Sequence, residues 1–205
     1  QFYYAYERGE ITREELFEHV PAQVIATVIN EELSDKSIKR VFKQIDKSIE
    51  DAGVGHIDVI VGGPPCQAYS LVGRAQSSHM LVPMDKDPRN ELYKMYTRFL
   101  TRYKPEMFVF ENVAGIKSAR GGAAYKNLQA HLKRVGYDFE CREQNAADFG
   151  VLQSRKRVII IGWRKGTEHF YPDFVVNNSE AIVNDLLVDL APVNRGEENN
   201  AYALP

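Results

Sequence analysis

The chain has 205 residues, with 26 Lys and Arg against 28 Asp and Glu, for a net charge of −2. That balance excludes a protein that holds nucleic acid by bulk surface charge, although a local basic site remains open. At 44% hydrophobic and 26% charged residues the composition is that of a folded globular chain, and its longest apolar run, around residues 158–162, is sized for a strand and not for a bilayer. The two cysteines, Cys66 and Cys141, make neither a metal-ligand pair nor a disulfide framework. A reducing, cytoplasmic compartment fits them best. Residues 1–6 (QFYYAY) lack the apolar stretch of a signal peptide, and Gln1 in place of a starting Met is expected of a piece of a longer protein.

The first fifty residues read as helical and charged. Thr12 followed by Glu15 has the spacing of a capping box, with Leu16, Phe17 and Val20 as a short apolar face. Ile38, Val41, Phe42, Ile45 and Ile49 then form one helical stripe that ends at Gly53, with Lys39, Lys43, Asp46 and Lys47 between the stripe positions. After Gly53 the texture changes. Residues 57–61 (IDVIV) read as a strand buried on both faces, followed by a long Gly-, Pro- and Ser-rich loop to about residue 90. A helix over 91–103 is predicted from Leu92, Met95, Phe99 and Tyr103, then a strand over 107–110, and a helix over 125–135 with Leu128 and Leu132 inside. Residues 137–145 look extended, 157–163 (RVIIIGW) read as the clearest strand, and Ser179 is expected to cap a last helix carrying Ile182, Leu186 and Leu190.

Strands alternating with helices imply an α/β fold with a mostly parallel sheet and helices on both faces. In such a sheet chemistry sits outside the carboxyl ends of the strands, which singles out three segments. In 62–74 (GGPPCQAYSLVGR) two glycines and two prolines fix an abrupt turn and place Cys66 just past a strand, although a cysteine there is as readily a packing residue. In 108–115 (FVFENVAG) Glu111 and Asn112 leave an apolar strand, where a partly desolvated carboxylate can hold or share a proton; a lone pair of this kind is more often a surface loop. In 153–157 (QSRKR) Arg155 and Arg157 alternate in front of a strand and project to one side, as suits phosphate or carbonyl oxygens, or simply a solvated edge.

Taken together, Pro65-Cys66-Gln67, Glu111-Asn112-Val113 and Gln153-x-Arg155-x-Arg157 resemble, in order and in separation, the nucleophile, acid and arginine motifs of the cytosine carbon-5 methyltransferases of DNA. The separations are 45 positions from Cys66 to Glu111 and 42 from Glu111 to Gln153, and the resemblance covers roughly residues 57–164. It implies a Rossmann-like methyltransferase fold, here incomplete, and S-adenosylmethionine as methyl donor. The implied substrate is double-stranded DNA with the target cytosine flipped out of the stack. Within it Cys66 is the implied covalent nucleophile, Glu111 the acid at ring nitrogen 3, and Arg157 the partner of the carbonyl at position 2. Gln67, Ser70, Arg74 and Arg89, in the loop after the nucleophile, together with Asn112, Gln153 and Arg155, are the implied DNA-side contacts, with Asn112 also orienting the loop around Glu111. A bacterial enzyme, of a restriction-modification system or an orphan, is the kind implied by the AYSLVGR continuation.

The family's opening glycine-rich strand-turn for the donor has no match in residues 1–53, whose only glycine before Gly53 is Gly9. The same resemblance implies cofactor contacts at Pro64, Pro65 and Asp46. The expected organisation is a helical segment 1–53, a catalytic core 54–170 and, over 171–205, the start of a connection to a target-recognition domain. Two other readings share the residues: a tRNA cytosine-5 methyltransferase, and a non-catalytic nucleic-acid-binding remnant.

Overall fold

The computed structural model describes residues 2–65, 92–177, 182–188 and 190. They fall into two compact units, Gln1–His56 and Ile57–Pro205.

The first unit is helical: α1 (Phe2–Glu7), α2 (Arg13–Glu18), α3 (Ala22–Ile25) and α4 (Ile38–Asp51). The capping box at Thr12 forms as expected, the Glu15 amide donating to Thr12 Oγ1 (3.2 Å) and the Thr12 amide to Glu15 Oε2 (2.7 Å). On α4 the stripe also holds: Ile38 and Val41 are buried and Phe42, Ile45 and Ile49 half-buried, while Lys39, Lys43 and Lys47 are exposed. The helix stops where the sequence says it should. Gly53 turns left-handed (φ 65°), its amide donates to Glu50, and that of Val54 donates to Ile49, the paired closing bonds that glycine makes cheap.

The second unit is built on four strands, β1 (Val59–Gly62), β2 (Met107–Val113), β3 (Tyr137–Asn145) and β4 (Lys156–Arg164), in the order β1-β2-β4-β3. Between them run α5 (Leu92–Tyr103) and α6 (Ala123–Arg134), and a short α7 (Val183–Leu186) follows the sheet. The expected α/β alternation is present, but the pairing is mixed. β1 and β2 are parallel, whereas β4 is antiparallel to both β2 and β3. Three strands thus run one way, and β4 reverses direction because it returns into the gap between β2 and β3. Ser179, the expected cap of the last helix, lies outside the described residues.

One face of the sheet is closed. Phe108 and Phe110 of β2, Val158 and Ile160 of β4, and Tyr137 of β3 pack with Tyr93, Tyr96 and Leu100 of α5 and with Leu128 and Leu132 of α6. The helix over 92–103 is where the sequence puts it, but its buried face is Tyr93, Tyr96, Thr97 and Leu100, one step round from the expected stripe of Leu92, Met95, Phe99 and Tyr103. Tyrosines that look like surface residues take the inner positions because their hydroxyls find backbone acceptors: Tyr96 Oη lies 2.9 Å from the Val109 carbonyl, and Tyr137 Oη donates to that of Pro105 at 2.7 Å. Burial pushes the Tyr137 phenol up to about 12, and raises that of Tyr96 as well.

The second face is covered towards β3, where Tyr171 is buried beneath the Arg142 guanidinium, 4.4 Å from its ring centroid. Towards β1 it opens, and Val59 and Val61 are 49% and 74% exposed. A strand buried on both faces was expected here; β1 buries one face only.

Candidate active site

The carboxyl ends of β1 and β2 and the start of β4 meet on the open face. The register sets Glu111 opposite Ile159 and Val113 opposite Arg157, so Glu111 and Arg157 project to the same side of adjacent strands. Arg157 Nε reaches Glu111 Oε1 at 2.8 Å, and its Nη1 donates to the Lys156 carbonyl at 2.8 Å. With side chains 42% and 21% exposed, the pair is worth at most about 1 kcal/mol to the fold. Its value lies in orientation. The guanidinium is pinned at two points, and the carboxylate is fixed at the strand mouth with one oxygen engaged.

The next residue points the other way. Asn112 is 1% exposed on the closed face, where its Nδ2 donates to the Pro64 carbonyl (3.1 Å) and its Oδ1 accepts from the Val113 amide (2.9 Å). It is occupied by the chain's own backbone instead of being presented to a ligand, and it bolts the segment after β1 to the end of β2.

The segment that Asn112 holds is Gly63–Pro65, which leads straight into position 66. Two glycines there were expected for an abrupt turn. Neither Gly62 nor Gly63 has a positive φ, so clearance is what they supply. A Cβ on Gly62 would lie 2.6 Å from the Tyr96 ring, and one on Gly63 would lie 2.9 Å from Glu111 Oε2. The pair serves the two faces of the sheet in turn, α5 below and the carboxylate above. The motifs alone do not reveal that Gly63 lies against Glu111; the doubled glycine straight after an apolar run is its signal in the sequence.

Cys66, Gln67, Ser70, Arg74 and Arg89 lie outside the described residues. Gln153 and Arg155 are exposed in the turn before β4, where the Arg155 carbonyl accepts from the Ala146 amide at 3.0 Å. Arg155 stands one residue before the start of β4 at Lys156. Pro64 is half-buried with its carbonyl taken by Asn112, and Pro65 is exposed. Asp46 lies on α4, in the helical unit. Among the described residues of that unit there is no strand leading into a glycine-rich turn, and at Gly63 the space is filled by Glu111.

A family model for C-5 cytosine-specific DNA methylases matches residues 14–203. Type II methyltransferase M.Bpa9945I of Bacillus paralicheniformis is 38% identical over 180 residues, 82% of this chain and 40% of that protein. Type II methyltransferase M1.HphI of Haemophilus parahaemolyticus is 34% identical over 143 residues, 70% of this chain and 37% of that protein. Among solved structures, a prophage-encoded E. coli protein described as a DNA modification methyltransferase superposes with a TM-score of 0.55 at 26% identity, over 80% of this chain and 42% of its own. The chain thus spans about two fifths of the length of these relatives, and its open α/β sheet is part of a Rossmann-like methyltransferase fold. With the acid and arginine motifs paired at the strand mouth and nearly the whole chain matched, the chain belongs to the C-5 cytosine-specific DNA methylase family.

Proposed function

We propose that the protein carrying this chain is a DNA (cytosine-5-)-methyltransferase that works through a covalent Cys66 adduct, and that it belongs to a bacterial restriction-modification system in the cytoplasm. The observation that carries this reading is the Glu111–Arg157 pair beside the Gly63–Pro65 segment that runs into Cys66.

Carbon 5 of cytosine is a poor nucleophile. Addition of the Cys66 thiolate to carbon 6 makes the ring an enamine and puts electron density on carbon 5. The addition also loads charge onto ring nitrogen 3 and the carbonyl at position 2. Glu111, half-exposed on the open face, takes up a proton from solvent and holds or delivers it at nitrogen 3, while the guanidinium of Arg157, held by the Lys156 carbonyl, donates to the carbonyl oxygen. The methyl donor is S-adenosylmethionine, as the family implies. Once carbon 5 carries the methyl group, a base takes the carbon-5 proton, the C5–C6 double bond re-forms and Cys66 leaves as thiolate.

The target atoms are out of reach in a duplex, so the cytosine is flipped towards the open face. Gln67, Ser70, Arg74, Arg89, Gln153 and Arg155 provide contacts on the DNA side. Phosphate contacts from Arg74, Arg89 and Arg155 give local affinity for DNA despite the net charge of −2. The type II names of the relatives favour this reading over tRNA methylation and over a non-catalytic remnant. Assay of the full-length protein with labelled S-adenosylmethionine on duplex DNA and on tRNA, side by side, tests it. Label is expected in DNA alone; label in tRNA alone, or in neither, would overturn it.

A further inference from the structure

The Glu111 carboxylate is bracketed on both oxygens. Oε1 receives Arg157 Nε at 2.8 Å, and Oε2 occupies the space that a side chain on residue 63 would need, 2.9 Å from an added Cβ. The Glu111 carbonyl lies 3.6 Å from the same point, an ordinary contact, so the carboxylate alone requires position 63 to be bare. We propose that Gly63 is a positioning residue for the acid: its lack of a side chain is what lets Glu111 lie over the Gly63–Pro65 segment while still paired with Arg157. The proposal rests on the reading of Glu111 as the proton donor to the ring.

Gly63 has no positive φ, so its backbone accepts alanine. The obstacle is the far end of a flexible side chain, which moves aside without disturbing the sheet. The cost of a Cβ at this position therefore falls on geometry and not on stability, and a displacement of about 1 Å in a reacting group lowers a rate by up to about 100-fold.

The test uses the full-length protein, with methylation kinetics on duplex DNA and the NMR signal of the Arg157 Nε–H. Gly63→Ala is expected to fold, to lower kcat by about 10- to 100-fold and to leave KM for DNA within about twofold. Asp at position 111 is one methylene shorter and draws the carboxylate clear, so adding Gly63→Ala to Glu111→Asp is expected to cost under about threefold. The Arg157 signal in Gly63→Ala is expected to move towards its position in Glu111→Ala. An equal loss in the Glu and Asp backgrounds, an unmoved Arg157 signal, or failure of Gly63→Ala to fold would each overturn the proposal. A loss of under about tenfold in Glu111→Gln would instead overturn the reading of Glu111 itself, whatever Gly63→Ala does.

Discussion

The two faces of the sheet are made by the same strands and differ in almost every physical respect. On β2, Phe108, Phe110 and Asn112 face inward and are at most 1% exposed, whereas Glu111 between them has a side chain 42% exposed. The closed face is held by close-packed aromatic and aliphatic groups and by the hydroxyls of Tyr96 and Tyr137, which lie on backbone carbonyls. The open face carries an ion pair of little energetic value and two exposed valines beside it. A period-2 strand lets one segment anchor the fold with every second residue and present chemistry with the others. Stability should therefore be lost through one face and activity through the other.

The largest break in that comparison is expected from Phe108→Ala. The ring meets Tyr96 and Tyr137 edge-on, with centroids 6.0 and 5.4 Å away, and its removal leaves a cavity in the closed face. A loss of about 3–5 kcal/mol in urea unfolding is expected. A smaller loss comes from alkali. The Tyr137 phenol stands at about 12 in the folded chain, above its ordinary value of 10, so its contribution is fully present below pH 10 and disappears as the pH rises from 10 to 12. That contribution amounts to about 2–3 kcal/mol, and Tyr137→Phe should flatten this part of the stability-against-pH curve. The smallest change in stability is expected from Glu111→Gln on the open face, under about 1 kcal/mol. The same substitution should lower the methylation rate by about 10²–10⁴-fold, which sharpens the division between the faces. A Glu111→Gln variant as unstable as Phe108→Ala would erase it.

The sequence made the elements legible where periodicity was unambiguous. The α4 stripe, its stop at Gly53, the capping box at Thr12 and the strand over 157–163 all depend on local spacing, and all form. It misled where the answer depended on a distant partner. The inner face of α5 is chosen by carbonyls on β1 and β2 that accept from Tyr96, which no pattern within the helix reveals. The reversed direction of β4 is a property of the sheet, since a parallel crossover and an antiparallel return both read as an apolar strand. Asn112 looked like a companion of Glu111 because the two are adjacent, but adjacency on a strand means opposite faces. The acid and arginine motifs could be found from residue types and separations. That they touch, and that Gly63 leaves the room for it, needed the register.

The claim that the open face is a cytosine-methylating site is tested most directly by trapping the enzyme on its substrate. Fluorine at carbon 5 replaces the proton that must leave, so a full-length enzyme given DNA containing 5-fluorocytosine and S-adenosylmethionine should stop as a covalent protein–DNA complex that survives denaturing electrophoresis. The complex is expected with the native protein, to form more slowly with Glu111→Gln, and to be absent with Cys66→Ser, whose hydroxyl is nearly isosteric with the thiol. A complex that persists in Cys66→Ser, or none with the native protein, would contradict the account.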